Sequence, residues 1–127
     1  MRTVEEKLAF KKKLEERTSD FAVTAFKCID ALPIAVSSKV ISFQLGKSVS
    51  SIGANYREAN RAESMDDFIH KIGITLKECS ESLYWLDLIR RLYPKEIRFT
   101  DLALECEELL KIFQSIRRSI HDKLKGE

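Results

Sequence analysis

Apolar residues recur along most of this chain at alternating spacings of three and four, the pattern of helices that bury one side. The cleanest seam is Leu102, Cys106, Leu109, Phe113, Ile116, Ile120 and Leu124, which predicts a last helix capped by Thr100. Before it, Met65, Ile69, Ile72, Leu76, Cys79 and Leu83 mark a helix that Ser64 caps, with Asp66 and Asp67 suiting the dipole of its first turn. That helix runs to Leu92, where Tyr93-Pro94 stops it. Ile41, Leu45, Ser48, Ile52, Tyr56 and Ala59 place another helix from Ser38 to Asn60, with Ser37 or Ser38 as its cap.

The first stripe, Phe10, Leu14, Phe21, Ala25, Cys28 and Leu32, predicts a helix from Thr3 to Leu32 that Pro33 ends. Arg17 interrupts it, and residues 1–17 read as a charged helical extension that frays from the rest. On the second helix Gly46, Ser50 and Gly53 share an adjoining side, small enough for another backbone to come close. Four helices joined by mostly short connections predict an all-α fold, an antiparallel up-down-up-down four-helix bundle. A chain of 127 residues fits one domain, 1–127, around one core.

Composition narrows this picture without changing it. Four Gly and two Pro agree with long helices and few turns. Lys and Arg number 22 against 20 Asp and Glu, and a net charge of +2 does not by itself identify a nucleic-acid partner. Cys28, Cys79 and Cys106 fall on apolar stripes, as reduced core thiols do. No apolar run approaches the roughly 20 residues of a membrane span, and the N-terminal segment lacks the marks of a secretory or transit peptide. A cytoplasmic protein is expected.

Candidate chemistry is sparse. Asp67-x-x-His70 is the nearest approach to a di-iron ligand pair, and His121 stands alone, so neither a metal nor a cofactor is expected. Glycine-rich phosphate loops are absent, and no serine or cysteine has a histidine placed to act as its base. Glu78 and Glu81, with Lys71 and Lys77 near them, read as ion-pair partners rather than an acid–base pair. A non-enzymatic protein follows.

Two surfaces stand out instead. From Ala31 to Arg57 there is no acidic residue, and Lys39, Phe43, Lys47, Ser50, Arg57 and Arg61 project within a limited arc of the second helix. Cations in a row suit phosphates, and an aromatic among them can stack on an unpaired base. Lys39, Lys47, Arg57 and Arg61 are therefore the candidate nucleic-acid contacts. On the third helix a second side carries Asp67, Lys71, Ile74, Glu78, Glu81 and Trp85. A large aromatic in line with charges resembles an interface core with a polar rim, which makes Asp67, Lys71, Glu78, Glu81 and Trp85 the candidate oligomer interface.

Asn55-Tyr56-Arg57-Glu58-Ala59, Arg61-Ala62-Glu63-Ser64, Asp67-Phe68, Lys71, Lys77-Glu78-Cys79-Ser80-Glu81-Ser82 and Tyr84-Trp85-Leu86 resemble a bacterial four-helix-bundle family. Its members include proteins encoded within intervening sequences of large-subunit ribosomal RNA genes. The accessory variability protein of diversity-generating retroelements is similar in the same region. The resemblance spans about residues 18 to 120, with Gln44 to Trp85 its most specific part. It implies a cytoplasmic bundle that assembles as a homopentameric ring and, in the retroelement relatives, binds nucleic acid and the reverse transcriptase. Two functions then compete: an oligomeric scaffold for RNA or a ribonucleoprotein, and an adaptor that recruits a protein such as a reverse transcriptase without touching nucleic acid.

Overall fold

The structure, a computed structural model, describes residues 2–126. Four helices follow one another, α1 (Val4–Asp30), α2 (Val36–Ala59), α3 (Met65–Leu92) and α4 (Arg98–Lys125). Each packs on the next and α4 returns to α1, while the diagonal helices stand farther apart and meet through side chains such as Tyr56 and Phe113. Short connections make successive helices antiparallel, and the result is the four-helix bundle read from the sequence. The α2/α3 contact is the most extensive and the α1/α4 contact the least.

One apolar cluster fills the centre. Tyr56 and Phe113 meet with ring centroids 5.2 Å apart, and Leu45, Ile52, Ile72, Leu86, Ile89, Phe99 and Leu109 pack in the same fully buried interior. Every residue of the expected α2 stripe is buried. The three cysteines are free and buried, and the Cys106 thiol donates to the Cys79 carbonyl at 3.4 Å. The neighbouring Cys79 side chain, and then burial, hold the Cys106 thiol far above its ordinary pKa, so it stays an unreactive core group.

Helix starts differ from the expectation at two places. Helix α2 begins at Val36, and its N-cap is Ala35 in an extended conformation. Ser38 lies inside the first turn and reaches back, accepting from the Ala35 amide at 2.9 Å while its hydroxyl lies 2.6 Å from the Pro33 carbonyl. Ser37 and Ser38 are therefore not the caps. Thr100 likewise sits inside α4, its amide bonded at 3.0 Å to the carbonyl of the N-cap Ile97. A backbone turn from Tyr93 to Glu96 opens that helix without a capping side chain. Ser64 does cap α3, accepting from the Asp67 amide at 3.1 Å.

The charged start of α1 is regular helix. Thr3 and Glu6 form a reciprocal capping box, the Glu6 amide donating to Thr3 at 3.1 Å and the Thr3 amide to Glu6 at 3.3 Å. Most side chains before Leu14 are exposed, so this part of α1 extends beyond the core. Arg17 is a tie rather than an interruption. Its Nε and Nη2 donate to the two carboxylate oxygens of Glu105 at 2.8 and 2.7 Å, and Nη2 also reaches Glu108 at 3.0 Å. These acids raise the guanidinium pKa and join α1 to α4.

The close approach expected at Gly46 and Gly53 is made by α1, through side chains more than backbone. A Cβ built on Gly46 would lie 2.9 Å from Cε1 of Phe26, and one on Gly53 would lie 3.0 Å from Oγ1 of Thr18. Neither glycine has positive φ, so packing rather than backbone conformation sets the need for hydrogen at these positions.

Candidate nucleic-acid interface and assembly face

The outward side of α2 and the turn that follows it carry the predicted cations. Lys39, Lys47, Arg57 and Arg61 are all exposed, but their surroundings differ. Arg57 donates to Glu15 and to Ser19 of α1, each at 3.1 Å. Glu15 also accepts from Asn60 at 2.9 Å, so Arg57 belongs to a brace between α1 and the end of α2. Lys39, Lys47 and Arg61 have no acidic group within ion-pair distance among the described residues.

The second side of α3 faces the α2 edge. Lys71 lies 3.8 Å from Glu58. Burial and the neighbouring Glu81 raise the Glu78 pKa, with Lys47 and Lys77 opposing them. Asp67, Ile74, Glu78 and Trp85 are half-buried and Glu81 is exposed. Trp85 packs partly against its own core, meets Tyr84 edge-on with centroids 4.9 Å apart, and directs its indole N–H toward Glu81 at 3.4 Å. The core line of α3 runs through Ile72, Thr75, Leu76, Cys79, Ser82, Leu86 and Ile89. Met65, expected on that line, is exposed, and Ile69 and Leu83 are half-buried.

An apolar surface that the sequence reading missed lies beside the cations. Ile34 is 88% exposed, Val36 83% and Phe43 69%, with Val40, Val23 and Phe26 also open to solvent. The edge of Phe26 rests on Gly46, which joins the α1 and α2 parts into one patch. Its signal was a second stripe at Val36, Val40 and Phe43, hidden because residues before Ser38 read as a connection.

Both histidines are exposed. Among the described residues no group of three or more His, Cys, Asp and Glu is placed to hold a metal ion. No described helix is long and apolar enough to cross a membrane.

A family model described as 23S rRNA-intervening sequence protein matches residues 11–115. The chain belongs to that family. The match includes both faces described above and leaves out only the ends of α1 and α4. Among solved structures, a protein of unknown function from the S23 ribosomal protein family of Bacteroides thetaiotaomicron is 34% identical, with a TM-score of 0.72. That similarity covers 82% of this chain and 97% of the other. No curated protein matches the chain.

Proposed function

We propose that this member of the 23S rRNA-intervening sequence protein family is a non-enzymatic, cytoplasmic, homo-oligomeric scaffold that binds RNA or a ribonucleoprotein. The observation that carries the reading is the stretch from Ala31 to Arg57 without an acidic residue, together with Lys39, Lys47 and Arg61, which are exposed and make no ion pair among the described residues. Phosphates are the partner such a row accepts. Arg57 joins them when a phosphate replaces Glu15 in its fork. One subunit carries a net charge of only +2, so binding rests on repetition. Five copies closing a ring, joined through the α3 side with Asp67, Lys71, Glu78, Glu81 and Trp85, present each cation five times, and contacts weak alone add through effective concentration.

The test is RNA binding by the assembled protein over a salt series. Affinity falls steeply with salt, and Lys47→Glu combined with Arg61→Glu weakens it at least about tenfold while flattening the slope. Binding that is unchanged in this variant sinks the RNA reading. A pull-down with and without nuclease addresses the adaptor alternative: protein partners that survive nuclease support it over the RNA scaffold.

A further inference from the structure

We propose that the cavity where the first turns of α1, the α2/α3 turn and the last turns of α4 meet binds a nucleoside monophosphate, free or as the 5′-phosphorylated end of an RNA. The site stands apart from the cation row of α2 and from the α3 face, and it depends on neither.

The cavity measures about 530 Å³, within the roughly 300–1,000 Å³ of small-molecule sites. Its place follows from the course of α1. Before Leu14 that helix runs past the core with most of its side chains exposed, and its early turns supply one wall. Lys7 and Lys11, a turn apart on α1, and Lys123 of α4 line the space. All three are exposed, and none forms an ion pair among the described residues. Cations brought from two helices to one small space suit an anion that offers several oxygens.

The rest of the wall is more than a bare phosphate uses. Phe68 and Ile120, both half-buried, give it apolar surface, and an aromatic ring offers a base something to stack on. Asn60 also belongs to the wall. Its Nδ2 donates to Glu15, while its Oδ1 is buried with no partner within hydrogen-bond distance. An orphaned acceptor beside a cavity suits a ligand that brings N–H donors, as a base does. Glu63, the one acid in this wall, is exposed, and a carboxylate among lysines accepts well from a ribose hydroxyl. An acyl anion leaves both Asn60 and Glu63 against hydrocarbon, so the nucleotide is the better fit.

Equilibrium dialysis of the full chain against adenosine 5′-monophosphate, adenosine, inorganic phosphate and decanoate tests the site. The nucleotide binds, and adenosine and phosphate each bind at least about tenfold more weakly because each keeps only part of the contacts. Lys11→Glu with Lys123→Glu weakens the nucleotide at least about tenfold. Both positions are exposed, circular dichroism checks the fold, and Lys11→Gln with Lys123→Gln is the milder substitute. Lys39→Glu with Lys47→Glu leaves nucleotide affinity unchanged, since Lys47 lies about 20 Å along α2 from Asn60; this separates the cavity from the RNA row. Competition by a 5′-phosphorylated RNA oligonucleotide but not by its 5′-hydroxyl form identifies a chain end as the source, and competition by neither identifies the free nucleotide. Equal competition by both forms, no nucleotide binding at millimolar concentration, phosphate bound as tightly as the nucleotide, or decanoate bound more tightly overturns the assignment. So does an equal loss of affinity in the α2 variant.

Discussion

The hydroxyls of Ser48 and Ser82 account for much of the difference between the expected and observed lines of α3. Thr75 and Ser82 are buried without an obvious place in a stripe of apolar side chains. Thr75 donates to the Lys71 carbonyl at 2.9 Å and Ser82 to Ser48, which donates in turn to the Leu45 carbonyl at 3.1 Å. Such pairing makes a hydroxyl acceptable in the interior, and it depends on the facing helix, so no spacing rule reveals it. Ser48→Ala strands the Ser82 hydroxyl and costs about 1–3 kcal/mol. Ser82→Ala costs less because Ser48 keeps Leu45. Urea unfolding of both single variants and the double variant checks this, with the double less destabilised than the sum of the singles.

At the level of whole helices, chain punctuation is legible where a side chain does the work and illegible where the backbone does. Helix α3 runs from Met65 to Leu92 as read, because Ser64 caps it and Pro94 follows it. The starts of α2 and α4 were misread because Ala35 and Ile97 offer no capping side chain. Glycines show the same division. Gly46 and Gly53 were legible as a place of close approach, whereas Gly73 has open space around a built Cβ. Gly73→Ala therefore raises stability by up to about 1 kcal/mol. Gly53→Ala lowers it by about 1–3 kcal/mol because Thr18 is buried and has little room to move. Thermal melts of the two variants should shift in opposite directions.

For the whole molecule, the sequence revealed the bundle and the cation-bearing arc, but not the apolar patch. Seeing the patch requires the true start of α2 and the ring of Phe26 lying across Gly46. The folded subunit has a pH signature. In the separate subunit the Glu78 carboxyl sits above its usual range, chiefly from burial and then from Glu81, with Lys47 and Lys77 working the other way. Ionised Glu78 therefore disfavours the folded subunit at neutral pH, and protonation relieves that cost as pH falls through the raised pKa. Folding therefore takes up protons at Glu78, and the subunit gains stability on mild acidification. Urea unfolding across mildly acidic pH checks this, and Glu78→Gln makes the stability less pH-dependent.

The unequal grip among the helices has a kinetic consequence. Helix α1 has a lesser contact with α2 than α3 does, and the least extensive contact of the molecule with α4. Beside the apolar contacts, the Arg17 fork supplies the side-chain hydrogen bonds between α1 and α4 among the described residues. Local opening follows the weakest boundary, so deuterium enters the amides of α1 first and those where α2 faces α3 last. Cutting the fork with Arg17→Ala should hasten exchange along α1 while leaving the α2/α3 hairpin nearly as slow as before.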